Sequence, residues 1–275
     1  MSDIRDSDER DTHTLLTKIM PQHFWAGEQA PPDAEVYSCL LCRDTGWLIG
    51  EEGAYPCDCR KAKLLTAAKV AAGLPSALCR DHLADFRLDY YADHLQNGEG
   101  RSFRQLAESA LEACHYFVDG ILANEERRGL FLQGEVGRGK TFLAAAMVNM
   151  LVENGRKVLF VVVPDFLDRL RYSYDTAASL SEEEVMKRVQ KAQVLVLDDL
   201  GSHNYSEWTK NKIYSLVNYR LNHNLPIIIT SNLGLDDLKD ILGLRTVSRI
   251  VECCDFYLLC SDKDNRLKVR SANAR

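Results

Sequence analysis

The sequence predicts an α/β protein: a parallel sheet with helices on both faces, preceded by a small cysteine-bearing module. Three observations carry this. From residue 103 onward, short apolar runs of strand length alternate with amphipathic segments of helix length, the pattern of right-handed βαβ crossovers. A glycine-rich loop lies between one such strand and the helix after it. Four of the nine cysteines fall between positions 39 and 59, and an odd total with that clustering points to a metal rather than to disulfides.

The elements follow in chain order. Residues 1–35 are polar, contain Pro21, Pro31 and Pro32, and read as an N-terminal arm. Residues 36–72 form the cysteine module and a linker helix: turn-rich with Gly46, Gly50 and Gly53, then alanine-rich from Lys61 to Ala72. Gly73 and Pro75 end that helix. Residues 73–275 are the main domain. Leu106, Ala110, Cys114, Phe117, Val118 and Ile121 recur at helical spacing within 103–123. A strand over Leu130–Gln133 and a helix over Lys140–Glu153 come next. Lys157–Val163 is a β-branched run expected to be buried on both faces, and Pro164 opens a helix through Tyr172. Val194–Asp198 is a strand, Ser206–Asn222 a helix, Pro226–Thr230 a strand, and Asp255–Leu259 the last strand.

Composition narrows the class. The 275 residues are 46% hydrophobic and 27% charged, enough for a buried core. Val158–Val163 is among the longest apolar stretches and is far too short to span a bilayer. The acidic start, with Asp3, Asp6, Asp8, Glu9 and Asp11, lacks a secretory apolar region, so a cytoplasmic protein is expected. The net charge of −6 argues against bulk phosphate neutralisation of duplex DNA, so any DNA contact should be local. Lys263, Arg266, Lys268, Arg270 and Arg275 make the C-terminal end basic, as a solvated tail would be.

The loop reads Gly134-Glu135-Val136-Gly137-Arg138-Gly139-Lys140-Thr141, a complete phosphate-binding loop between strand and helix. Backbone N–H groups must converge on phosphate oxygens, and glycines keep side chains out of their way. Lys140 supplies a point charge for the β- and γ-phosphates, Thr141 a hydroxyl for Mg²⁺, and the helix N-terminus adds its field. Val194–Leu197 then ends in Asp198 and Asp199, where ligands of a parallel sheet bind. Asp198 is the expected Mg²⁺ carboxylate and Asp199 the group that orients or deprotonates the attacking water. Asn232, after the next strand, can hold that water, or can be a simple turn residue. Arg245 and Arg249 stand four apart, on one face if that segment is helical. They suit either an arginine finger reaching a neighbouring subunit or surface ion pairs.

These motifs, with Leu197-Asp198-Asp199-Leu200-Gly201, Thr230-Ser231-Asn232 and Arg245-x-x-Ser248-Arg249-Ile250 in that order, resemble the AAA+ ATPases of the bacterial DnaC/DnaI helicase-loader family. The transposon IstB helper ATPases share that core. Gly73-Leu74-Pro75, Phe86, Val163–Leu167 and Asp264-Asn265-Arg266 extend the similarity over roughly residues 36–268. The resemblance implies a sheet in the order 5-1-4-3-2, ATP at subunit interfaces of an oligomer, Asn232 as sensor and Arg249 as the finger in trans, with Arg245 beside it. A second Asp at Asp199, where many AAA+ proteins have Glu, fits slow turnover. The short stretch after the last strand implies a reduced or absent helical lid, with Arg266 a candidate substitute for its arginine.

Cys39-x-x-Cys42 and Cys57-x-Cys59 offer four thiolates to one Zn²⁺; the alternative is four reduced cysteines. The Cys-x-Cys half is similar to the N-terminal modules of some loaders, which in the resemblance contact the hexameric replicative helicase while the ATPase domain senses single-stranded DNA. The expectation is an ATP-dependent helicase loader. The competing expectations are an IstB-like transposition helper acting on target DNA with a transposase, and an adaptor that uses ATP only as a switch. An initiator is disfavoured because no helix-turn-helix follows the core.

Overall fold

The computed structural model describes residues 37–50, 53–172, 181–202 and 205–266. The N-terminal arm, and Lys268, Arg270 and Arg275 of the basic tail, lie outside them. The chain divides into two compact units, Met1–Tyr55 and Pro56–Arg275. In the first, a knuckle at residues 39–46 leads into strand β1 (Trp47–Gly50), which pairs with β2 (Gly53–Pro56).

The second unit opens with helix α1 (Asp58–Ala71). Its end is fixed by local chemistry. Gly73 at φ 87° donates to the Val70 carbonyl, and Leu74 donates to that of Lys69, closing a left-handed C-terminal turn. A Cβ at Gly73 would strike the Phe160 carbonyl, so glycine is required by both φ and space. Helix α2 (Phe103–Leu122) starts at a Ser102/Gln105 capping box, with Gln105 N–H donating to Ser102 Oγ at 3.2 Å and Ser102 N–H to Gln105 Oε1 at 2.9 Å.

Five parallel strands follow: β3 (Gly129–Gln133), β4 (Val158–Val162), β5 (Val194–Leu200), β6 (Ile227–Ser231) and β7 (Cys254–Leu258). Their order across the sheet is β4-β5-β6-β3-β7, the 5-1-4-3-2 arrangement of AAA+ domains. Between them lie α3 (Lys140–Glu153), α4 (Val163–Tyr172), α5 (Glu182–Lys191), α6 (Glu207–Asn222), α7 (Leu235–Leu242) and α8 (Leu244–Cys253). Alternation along each strand divides the core. Leu130, Leu132, Val196 and Ile228 pack with α2 and α3 residues, whereas Phe131, Leu195, Leu197 and Ile229 pack with α6 and α8 residues. Central strands buried on both sides are therefore continuously apolar.

Three expectations shift. β4 is an edge strand, so Leu159 and Val162 are only half-buried, and Val163 already belongs to α4. β5 does not stop at Asp198 but continues to Leu200, with a register shift between Leu197 and Leu200. Helices α5 and α7 fall where no element was expected. Among the described residues no helical lid follows β7. The segment 259–266 instead folds onto the glycine-rich loop, with Leu259 N–H donating to the Gln133 carbonyl at 2.8 Å and Asn265 N–H to that of Gly137 at 3.0 Å.

Candidate functional site

The carboxyl ends of β3, β5 and β6 converge on one cleft of about 620 Å³. Its floor is the loop 134–141. Gly139 stands at φ 90°, N-terminal to α3, and a Cβ there would come within 2.7 Å of the Tyr91 hydroxyl. That hydroxyl donates to the Arg138 carbonyl at 2.8 Å, tying the loop to the segment before α2. The Arg138 guanidinium pairs with Glu135 at 2.6 Å and donates to Ser261 Oγ at 2.7 Å.

Lys140 is buried, and its ammonium donates to two neutral oxygens: the Glu135 carbonyl at 2.8 Å and Asn232 Oδ1 at 2.7 Å. Burial pushes its pKa down to about 8, against the opposing fields of Asp199 and Asp198. Asp198 is buried and accepts from Thr141 Oγ1 at 3.0 Å and Thr230 Oγ1 at 2.7 Å. Burial raises its pKa, and the two hydroxyl hydrogen bonds oppose the rise. Thr230 Oγ1 also accepts from the Asp199 N–H at 2.9 Å. Asp199 sits at φ 61°, a left-handed conformation inside the irregular stretch of β5, and this turns its carboxylate into the cleft. Asn232 Nδ2 donates to Asp199 Oδ1 at 2.9 Å. Its amide orientation follows from its partners, because an ammonium only donates and a carboxylate accepts.

Asn232 therefore bridges the loop lysine and the second carboxylate. Thr141, Asp198 and Asp199 present hard oxygen donors at one place, the chemistry that suits Mg²⁺. Sequence reasoning gave no role to Thr230, which holds both Asp198 and the backbone of Asp199. It also gave none to Tyr90 and Tyr91, which wall the cleft with Phe86. Arg266 lines the same cleft. Arg245 and Arg249 do not; they lie on α8 beside Tyr214 of α6. Arg245 stands over that ring at 4.7 Å, and Arg249 pairs with Glu252 at 2.7 Å.

The sulfurs of Cys39, Cys42, Cys57 and Cys59 all lie within 4.8 Å of one another. Gly46 N–H donates to Cys42 Sγ at 3.3 Å, and the Asp44 carboxylate accepts from the Ser38 and Cys39 N–H groups. Four sulfurs this close fit one tetrahedral Zn²⁺, for which Zn–S bonds of about 2.3 Å are normal.

Comparison with known proteins adds to this geometry. A family model described as IstB-like ATP binding protein matches residues 104–254, which include the loop, both carboxylates, Asn232 and both arginines. The replicative helicase loader DnaI of Bacillus subtilis (strain 168) is 34% identical over 147 residues, 51% of this chain and 46% of that protein. The phage-like element PBSX protein XkdC of the same organism is 27% identical over 249 residues, 85% of this chain and 86% of that protein. A crystal structure of the DnaC helicase loader superposes with a TM-score of 0.55 at 29% identity, covering 68% of this chain and all of that one. The chain spans about half the length of the curated helicase loaders it matches.

Proposed function

The chain belongs to the IstB-like ATP-binding protein family, and from that premise we propose that it is an ATP-hydrolysing loader of a hexameric replicative helicase. The observation that carries the ATPase reading is the hydrogen-bonded chain Lys140–Asn232–Asp199. It couples the group that meets the γ-phosphate to the group that meets the attacking water. Backbone N–H groups of 134–141 cradle the phosphates, and Phe86, Tyr90 and Tyr91 give the base an aromatic wall. Thr141 and Asp198 hold Mg²⁺, which offsets phosphate charge when bound. Asp199 takes the proton of the water whose oxygen attacks the γ-phosphorus as the bond to the β-phosphate oxygen breaks. Asn232 keeps Asp199 and Lys140 in register. Arg249, outside its own cleft, serves the cleft of a neighbouring subunit.

The loader assignment is supported by the similarity to DnaI and DnaC and by the cysteine module. There Leu40 and Ile49 are 82% and 90% exposed, an apolar surface for a protein partner. The reading takes residues 36–72 as the module that grips the helicase, 73–275 as the ATPase, and single-stranded DNA as a local contact of the latter. The family's name also covers the transposition-helper reading. Size-exclusion chromatography with light scattering, mixing this chain with its host's hexameric helicase with and without ATP, separates the two. A nucleotide-sensitive complex that is lost in Cys39→Ser/Cys42→Ser is the expected result. No complex under any nucleotide condition, with ATP-dependent binding to duplex DNA and a transposase, would replace the loader by the helper.

A further inference from the structure

The joint between α8 and β7 holds chemistry that nucleotide binding does not use. Cys253 ends α8 and Cys254 begins β7, and their sulfurs lie 3.6 Å apart. Cys254 is buried against β3: a Cβ added at Gly129 would stand 2.9 Å from its sulfur. Cys253 is half-buried and lines a second open pocket of about 340 Å³, with Glu126, Arg127, Arg128, Arg220 and Glu252.

Arg220, from α6, is fully buried. Its terminal nitrogens donate to the carbonyls of Gln190, Ala192, Gln193 and Pro226, and its Nε has no hydrogen-bond partner. Carbonyl dipoles solvate a cation without neutralising it, and among the described residues no carboxylate pairs with this one. Burial lowers its pKa to about 10, and the charge that most opposes this is Cys253. Either sulfur can donate across the 3.6 Å contact, and the Cys253 thiol also reaches the Ile250 carbonyl at 3.6 Å. The hydrogen bond with Cys254 holds the Cys253 pKa below the ordinary value, with help from Arg128 and Arg220 against the effect of burial. Cys254 itself is held protonated by burial and by that same hydrogen bond. The C-terminal end of a helix disfavours an anion. Here Arg128 covers that end, donating to the carbonyls of Val251, Glu252 and Cys254 while pairing with Asp255 at 2.8 Å.

We propose that Cys253 is a peroxide-reactive thiolate and Cys254 its resolving thiol, closing a reversible disulfide at the joint that carries Arg245 and Arg249. The Cys253 sulfur attacks one peroxide oxygen, the O–O bond breaks, and the leaving hydroxide takes a proton and departs as water. The Cys254 sulfur then attacks the resulting sulfenic acid, the S–O bond breaks, and a second water leaves with the Cys254 proton. Two thiols are oxidised by two electrons and one peroxide is reduced to two waters. Adjacent residues hold their Cα atoms about 3.8 Å apart, closer than ordinary disulfides take, so small thiols reopen this bond readily. Closure draws the Cys254 sulfur away from Gly129, at the first rung between β7 and β3, the strand that leads into the phosphate-binding loop. The effect on ATP turnover rests on the finger role given to Arg249 above.

The test uses the full chain with zinc bound, treated with equimolar hydrogen peroxide, alkylated and digested. The tryptic peptide 250–263 is expected to lose two hydrogens, localised to Cys253–Cys254 and restored by dithiothreitol. Cys254→Ser should stop at a sulfenic acid on Cys253 that dimedone traps. Arg128→Gln, an exposed change, should slow the peroxide reaction by about threefold or more. Cys253 and Cys254 both remaining fully alkylatable after peroxide has oxidised other cysteines would overturn the proposal, as would a Cys254→Ser chain that dimedone does not label. Mass reads the redox state without reference to ATP, so failure here is distinct from failure of the ATPase reading. A disulfide that forms yet leaves ATP turnover unchanged would overturn its link to the finger helix.

Discussion

Lys140 is a buried cation held by two neutral oxygens, and that fact sets how the cleft should respond to pH. Its pKa of about 8 lies below the ordinary 10.5. Between those values the unfolded chain keeps a proton that the folded, nucleotide-free chain has lost. The stability of the free chain therefore rises with pH across that window, and the cost of burying the charge is fully present below it. A triphosphate supplies the missing counter-charge and returns the proton. Calorimetry of ATP binding at about pH 9, in two buffers of different ionisation enthalpy, should show uptake of most of one proton, and at about pH 7 very little. Equal uptake at both would contradict this. The loop, the two carboxylates and Asn232 were legible in the sequence because their spacing is itself the signal. Thr230 and Tyr91 received no role there, because each works through a contact with a residue far along the chain.

At the scale of elements, α1 is locked to the far end of α3. Lys69 is buried and donates to Glu153 Oε1 at 2.7 Å and to the Cys79 carbonyl at 2.8 Å. Glu153 is the last residue of α3, where the helix field opposes a carboxylate, so the lysine offsets an otherwise poor placement. Replacing Lys69 by Met leaves Glu153 partly buried without its lysine partner, with His82 Nδ1 3.9 Å away. The change should destabilise the chain by about 3 kcal/mol, read as a lower urea midpoint at unchanged slope. A loss under about 0.5 kcal/mol, the range of exposed pairs, would show that the contact does not hold the helix. Helix ends were well marked in the sequence where caps are local, as at Gly73 and Pro164. The Ser181/Glu184 capping box marks α5 equally well, and Met186 and Val189 are its buried residues. The irregular course of β5 had no local signal. Val194–Leu200 reads as a strand running into a turn, and only pairing of Leu200 with Ser231 carries the strand past the carboxylates.

At the scale of the molecule, strand order was not in the periodicity, because apolar runs do not say which strands are neighbours. It entered through the resemblance, and the β4-β5-β6-β3-β7 sheet agrees with it. Arg249 lies outside its own cleft, so its proposed finger role takes a second subunit to complete the site. Lys140→Ala keeps the finger and loses the loop; Arg249→Ala keeps the loop and loses the finger. Each alone should fall about a hundredfold or more in ATP turnover. Their mixture should recover up to about a quarter of the wild-type rate, since each head-to-tail interface joins one loop to one finger. No recovery on mixing, with both variants still assembling, would place the finger elsewhere. The central claim is that ATP held in this cleft drives helicase loading. Its most direct test is transfer of the host's hexameric helicase onto circular single-stranded DNA coated with binding protein, counted as hexamers that remain on the isolated circles. Stable transfer is expected with the wild-type chain and ATP, and none with Lys140→Ala. Equal transfer with the variant, or without this chain at all, would contradict it.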